Sequence, residues 1–212
     1  MAKSHVDLTI MLVSHDAFRR DLRRLEKAAA NRTGDDPAAR KRIETGWEIF
    51  KTQLRFHHEG EDRDLWPRMV KGLAHRPETL ATLRELEAEH ELIDPLLTRI
   101  DTLLGDPHTP ADEVGQAVAA FADSLEGHLD HEEKDGLPYV AEALTAQEWK
   151  AFTADQRNQL GLTGAAELFP WLLDNAGAEN VERVKSFMPM PMRMALKNLW
   201  TPAYRARDTW TD

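Results

Sequence analysis

Phe56-His57-His58-Glu59-Gly60-Glu61-Asp62-Arg63-Asp64-Leu65-Trp66-Pro67 is one of two similar stretches in this sequence; the other is Gly127-His128-Leu129-Asp130-His131-Glu132-Glu133-Lys134-Asp135-Gly136-Leu137-Pro138. Both read His-x-x-x-Glu-acid-basic-Asp-x-x-Pro. On an α-helix a residue and its fourth neighbour share a face, so His57 with Glu61, and His128 with Glu132, can each bind a cation. The pattern predicts a two-metal site on helices. Imidazole nitrogen with carboxylate oxygen favours iron, with manganese and zinc as the weaker alternatives.

Apolar residues at helical spacing precede both stretches. The stripes are Ile43, Trp47, Phe50 and Leu54 before His57, and Val114, Val118, Phe121 and Leu125 before His128. Two further stripes contain His15 (with Leu8, Met11, Phe18, Leu22 and Leu25) and His90 (with Leu83, Leu86, Ile93, Leu97, Ile100 and Leu104). The spacing predicts four amphipathic helices. It places His57 on its stripe rather than His58, which points about 100° away on a 3.6-residue helix.

Capping and breaking residues predict how these helices are arranged. Ser4 with Asp7 resembles a capping box at the start of the first helix. Pro37 and Pro77 suit the first turns of the second and third helices. Short connections favour an up-down-up-down order, which brings the four stripe histidines to a common depth of about 15–20 Å. We therefore predict an all-α fold, an up-down-up-down four-helix bundle over residues 1–140.

The sequence changes character after Pro138, where we predict a C-terminal helical extension over residues 141–212. Thr145-Ala-Gln-Glu148 is a second capping-box start, for a helix to about Gln159 that breaks between Gly161 and Gly164. Short helices are expected over 165–175 and 180–187, followed by a proline-broken, methionine-rich connection over 188–194. The extension either packs on the bundle or mediates a contact such as a homodimer.

Composition excludes several classes of function. The 212 residues include no cysteine, which removes thiolate zinc sites and cysteine-ligated iron–sulfur clusters. A formal net charge of −10 argues against a nucleic-acid partner, because phosphate binding needs a dense basic surface. No apolar run reaches membrane-span length and the N-terminus lacks a signal-peptide core, so we expect a cytoplasmic protein and no membrane partner.

A single histidine on an apolar face is usually a hydrogen-bonded core residue, but this sequence places four at one depth with two glutamates. Burying six such groups without a cation is costly, which favours a metal pair. The predicted ligands are His15, His57, Glu61, His90, His128 and Glu132. Off the stripes, we interpret His58 and His131 as surface or supporting groups. Asp62 and Glu133 are weaker ligand candidates, and whether any of these four replaces or supports a ligand is left open.

At these residues the sequence resembles the hemerythrin-like, or HHE cation-binding, family over about residues 4 to 140. The resemblance implies a four-helix bundle with a non-haem di-iron centre. In that centre His15, His57, His90 and His128 would be terminal ligands, and Glu61 and Glu132 would be bridges. Oxygen-carrying hemerythrins have a fifth histidine on the third helix, one turn from the first, whereas here Leu86 and Asp94 flank His90, and Asp94 is a weaker candidate for that place. The pattern is more similar to four-histidine, two-glutamate members.

The leading functional hypothesis is a protein with two non-haem iron ions, bridged by an oxo or hydroxo group, that binds or reduces a small oxidant such as O₂, peroxide or nitric oxide. Such a protein would be an oxidoreductase if it turns over, and the sequence leaves that open. The first alternative is a regulatory module that senses iron or oxygen. The second is a zinc-binding structural bundle.

Overall fold

The computed structural model describes residues 6–31 and 36–210, and these residues form helices without a β-strand, so the predicted all-α class is confirmed. The bundle is built from α1 (Thr9–Ala30), α2 (Pro37–Gly60), α3 (Trp66–Gly72), α4 (Pro77–Gly105), α5 (Ala111–His131) and α6 (Val140–Ala143). The remaining helices are α7 (Ala146–Leu173), α8 (Ala178–Ser186), α9 (Met190–Ala195) and α10 (Thr201–Arg205). The up-down-up-down order stays a prediction.

Local side-chain caps explain where several helices begin. The Asp36 carboxylate accepts hydrogen bonds from the backbone N–H groups of Ala38 and Ala39, and Pro37 occupies the first turn of α2. Thr145 and Glu148 form the predicted capping box at the start of α7. The capping box predicted at Ser4 lies outside the described residues.

Most residues of the predicted apolar stripes meet in one core, whereas a second apolar cluster contains Leu83 and Leu86 of α4 and packs against Leu8 and Met11. Phe18 of α1, Phe50 and Trp47 of α2 and Phe121 of α5 form a cluster of aromatic rings whose centroids lie 5.5–5.7 Å apart. Among them, Phe18, Phe50 and Phe121 are completely buried. This apolar layer lies directly beside the histidines, because the His57 ring contacts Phe18 at a centroid distance of 5.3 Å.

The bundle has a wide turn of π-helix in each half, at Glu61–Leu65 and at Glu132–Gly136. Each wide turn starts at the glutamate of the repeated motif, directly after α2 or α5. A π-turn holds one more residue than an α-turn, so it changes the direction of the side chains that follow. Asp62 and Glu133 therefore do not lie where a regular helix would place them.

The extension packs against α1 through a buried polar contact. The Trp171 indole N–H of α7 donates a hydrogen bond of 2.8 Å to the Asp21 carboxylate, which is 1% exposed. The Trp171 ring also contacts Phe18 at 5.0 Å. The core thus runs continuously from the bundle into residues beyond 141.

Helix α7 contains the predicted glycine break as a sharp bend. Gly161 has φ of +59°, a left-handed conformation that favours glycine. One helical segment of α7 precedes this residue from Ala146, and the other follows it to Leu173.

The prediction that residues 188–194 form a proline-broken connection is wrong where α9 forms. Pro191 occupies the first turn of that helix, where proline is tolerated. In the part of the chain that the structure describes, none of the helices combines the length and apolar character needed to cross a bilayer.

Candidate metal centre

All six predicted ligands come together inside the bundle, in two groups whose donor atoms lie within 4.8 Å of one another. One group contains His15, His57, Glu61 and Glu132. The other contains His90, His128, Glu61 and a further residue, His58. Each group could hold one metal ion and so defines one metal position. Glu61 belongs to both groups and Glu132 to one, so the two metal positions share the Glu61 carboxylate.

The four stripe histidines meet as two facing pairs. His15 Nε2 lies 3.1 Å from His57 Nε2, and His90 Nε2 lies 3.1 Å from His128 Nε2. Two Nε2 atoms at this distance can share at most one proton between them. A cation placed between them would accept both lone pairs instead, which is the arrangement a metal site needs.

Carboxylates hold the opposite ring nitrogen of three of these histidines. His15 Nδ1 lies 2.8 Å from Glu133, His90 Nδ1 2.8 Å from Asp62, and His128 Nδ1 2.9 Å from Glu89. An ionised carboxylate only accepts, so each Nδ1 carries the proton and each Nε2 is directed into the centre. Asp62 and Glu133 thus contact ligand candidates of the opposite half of the repeat rather than the centre itself.

The Glu89 carboxylate was missed by sequence reasoning. It contacts His128 and also His131, whose Nδ1 lies 2.8 Å from Glu89 Oε1. Glu89 directly precedes His90, off the apolar stripe of α4, so a periodicity argument treats it as a solvent-facing residue. His131 therefore supports the centre through Glu89, in line with its interpretation as a supporting group.

The buried carboxylates fit a bound cation. Both side-chain oxygens of Glu61 and of Glu132, and Nε2 of His58, are buried without a hydrogen-bond partner in the described structure. Imidazole nitrogens approach the glutamate oxygens to 3.2–3.6 Å without completing hydrogen bonds. Buried polar groups left unpaired are costly, and a metal ion coordinated by these atoms removes that cost.

The alternative that places His58 on the surface is wrong, whereas its role as a supporting group or a ligand stays a prediction. His58 is 8% exposed, and its ring stacks on that of His90 with a centroid distance of 3.9 Å and an interplanar angle of 10°. The cause is the width of the buried face of α2, which includes adjacent residues such as Ile49 with Phe50 and Gln53 with Leu54. The neighbouring apolar residues Ile49 and Phe50 were the available signal.

Electrostatics divides the metal-free centre into charged and neutral groups. Burial opposes protonation of His15, but Glu132 and Glu133 outweigh it and raise its pKa to about 9. Burial also opposes ionisation of Glu132, yet His15 and the other imidazoles lower its pKa to about 2. The metal-free chain therefore keeps a protonated His15 beside an ionised Glu132, and metal binding there releases a proton.

The other groups of the centre shift toward their neutral forms. Burial, reinforced by neighbouring imidazoles, lowers the pKa of His57 and His58 well below the usual value. Burial lowers the pKa of His128 as well. Burial and the nearby Glu132 raise the pKa of Glu61 well above its usual value. Neutral imidazoles are the form that binds metals.

A two-position, histidine- and glutamate-lined centre inside a helical bundle defines a class of cation-binding helical proteins. The model of the hemerythrin HHE cation-binding domain matches residues 6–140, which is more than half of the chain. The chain therefore belongs to the hemerythrin HHE cation-binding family, and its bundle is a cation-binding domain. Neither a curated protein nor a solved structure matches the chain significantly.

Proposed function

We propose that this protein is a non-haem di-iron protein that binds or reduces a small oxidant, namely O₂, peroxide or nitric oxide. The observation that carries the proposal is the pair of facing Nε2–Nε2 contacts of 3.1 Å next to four unpartnered glutamate oxygens. His15, His57, Glu61 and Glu132 would hold one iron. His58, His90, His128 and Glu61 would hold the other.

The donor set supports iron as the metal. Five imidazoles with two carboxylates and no thiolate suit a redox-active first-row metal that accepts mixed nitrogen and oxygen ligands. When bound, the iron pair would supply one electron per ion to the oxidant. Neither group contains six protein donors, which leaves coordination positions for a small molecule.

The chain contributes orientation and exclusion of water. Asp62, Glu89 and Glu133 fix the direction of three imidazoles, and Arg19 in turn binds Glu133 at 2.7 Å. Phe18 and its aromatic neighbours close the centre on the side of the apolar core. These contacts hold three of the imidazole donors in place in the metal-free chain.

Anaerobic purification, ferrous iron loading and metal counting test the proposal, followed by rapid mixing with O₂, hydrogen peroxide or nitric oxide. We expect about two iron ions per chain and a near-ultraviolet spectrum that changes on mixing with at least one oxidant. A chain that binds zinc in preference to iron, or iron that none of the three changes, would refute it. Zinc gives no such spectrum, which separates the structural alternative.

A second candidate function is an iron- or oxygen-sensing module. One series of ring contacts supports it. Phe18 touches the His57 ring at 5.3 Å and the Trp171 ring of the extension at 5.0 Å, so a change at the centre has a direct packing route to α7. Oxidant-dependent protease sensitivity of the extension without turnover would favour the sensor. Rapid catalytic loss of peroxide would favour the enzyme.

A further inference from the structure

A large cavity lies between the bundle and the extension and reaches the metal centre. Its volume is about 840 Å³, and its walls come from α1, α2 and the region from α7 to α9. His57 and Glu61 lie among its lining residues. The walls beyond residue 146 fall outside the matched family domain, so the cavity depends on residues that are particular to the extension.

The cavity is much larger than a diatomic gas or hydrogen peroxide needs. Pockets for organic ligands occupy roughly 300–1,000 Å³ and are mainly apolar with a few polar groups. Here the walls include Met11, Phe152, Leu168 and Met192, and Trp149 and Trp171 also line the space. An apolar molecule would displace water from these side chains at a gain in free energy.

One polar side chain deep in the cavity lacks a partner. Gln53 is 5% exposed, lies one helical turn before His57 and lines the cavity. Among the described residues its amide group makes no hydrogen bond, whereas Gln156, on the opposite wall, donates to Asp64. The amide is not among the fully buried unpartnered atoms, so it is accessible from the cavity, and Gln53 can donate a hydrogen bond to an oxygen of a ligand.

We propose that this cavity binds the organic part of an alkyl or aryl hydroperoxide, with its O–O group directed to Gln53, His57 and Glu61. The inference rests on the proposed function, since it specifies the oxidant. In the reaction the O–O bond would break, a bound ferrous pair would supply two electrons and become ferric, and two protons from solvent would convert the carbon-bound oxygen to an alcohol and the terminal oxygen to water. The apolar walls would thus add binding free energy for an organic peroxide that hydrogen peroxide does not gain.

Binding to the metal-free chain tests the ligand site without any redox chemistry. The probe is 2-phenyl-2-propanol, the alcohol produced from cumene hydroperoxide, titrated by calorimetry and by the fluorescence of Trp149 and Trp171. We expect saturable binding that Ala165→Leu, which fills the cavity, weakens by at least about tenfold. Ala151→Leu is the matched control, because Ala151 is exposed on the same helix and lies outside the lining.

Two further variants keep the test independent of the folding of Ala165→Leu. Met192→Ala removes an apolar contact from a half-buried position, and Gln53→Leu removes the proposed polar partner. Each should weaken binding of the alcohol by about threefold or more. An absence of saturable binding to the unmodified chain, or equal binding to all the variants and the control, would overturn the inference.

The iron-loaded protein then separates the two proposals. Ala165→Leu should slow oxidation of the ferrous centre by cumene hydroperoxide at least about tenfold and by hydrogen peroxide less than about threefold. Oxidation by hydrogen peroxide alone, with no binding of the alcohol, would overturn the cavity proposal and leave the di-iron function standing. Binding of the alcohol with no oxidation by either peroxide would overturn the redox step proposed for this cavity, and the di-iron function would then be decided by the reactions with O₂ and nitric oxide.

Discussion

The two halves of the bundle carry the same motif but surround the metal centre differently. In the second half, Leu129 occupies the position equivalent to His58, and His131 the position equivalent to Gly60. His58 adds a third imidazole beside His90 and His128. A side chain at Gly60 would meet the Gln156 amide at 2.6 Å, so the absence of one leaves room for the extension. The repeat thus builds a symmetric frame in which one metal position is rich in imidazole and the other faces the cavity.

The residues directly before His15 of α1 and His90 of α4 also differ between the two halves. Glu89, directly before His90, holds His128, whereas Ser14, directly before His15, donates to the Ile10 carbonyl and lines the cavity. Within residues 6–31 and 36–210, no carboxylate bonds Nδ1 of His57. The imidazole at the cavity is therefore held less firmly than its counterpart, as expected for the side of a centre that admits a ligand.

The largest expected effect comes from the two glutamates, which look equivalent in sequence. Glu61→Ala should abolish binding of both metal ions, because Glu61 belongs to both groups, whereas Glu132→Ala should leave about one ion per chain. Metal analysis after ferrous loading and gel filtration measures the difference. Equal metal content in the two variants would show that the centre is symmetric after all.

Asp21 links only the first half to the extension, because the equivalent position on α4 is Leu96. Asp21→Ala leaves the Trp171 N–H without its acceptor and removes a carboxylate that pairs with Arg20 and Arg24, so it should lower the free energy of unfolding by about 3–5 kcal/mol. Chemical denaturation measures the loss. The exposed Asp16→Ala serves as control and should stay within about 0.5 kcal/mol. Similar stability of the two variants would mean that Asp21 does not anchor α7.

His58→Leu makes the two halves alike at this position and tests whether the extra imidazole binds metal. We expect the affinity for one of the two ions to fall by at least about tenfold, since even residues that only orient ligands contribute that much. Competition with a chelator measures both affinities. His131→Leu is the control, because His131 reaches the centre only through Glu89. Two unchanged affinities in His58→Leu would rule out His58 as a ligand.

The smallest effect concerns Tyr204 of α10, whose pKa is raised to about 12 by burial and by the nearby Asp21. The folded pKa lies above the unfolded value of about 10, so the unfolded chain loses its proton first and stability falls as pH rises from about 10 to 12. Tyr204→Phe should remove about 1.4 kcal/mol of the loss in the free energy of unfolding measured between pH 8 and 11. An identical alkaline loss in both proteins would contradict the assignment to Tyr204.

Periodicity was sufficient to predict the all-α class and the convergence of six side chains, because a regular helix fixes where His57 and Glu61 point. Periodicity failed at His58, because α2 buries two adjacent residues in a turn, whereas a single apolar stripe predicts only one buried residue there. It also missed Glu89 and the contacts of Asp62, because the wide turns that redirect the chain have no distinctive residues. The cavity depends on how α7 bends at Gly161 over the bundle, which is a tertiary property.

The wide turns at Glu61 and Glu132 connect the two halves of the repeat. They begin at equivalent points of the two helix pairs, and each is followed by an acidic residue that reaches the other pair. Asp62 Oδ1 lies 2.8 Å from His90 Nδ1, and Glu133 Oε1 lies 2.8 Å from His15 Nδ1. Each half thus orients an imidazole of the other, so a substitution that distorts one wide turn would misplace a ligand candidate on the opposite helix pair.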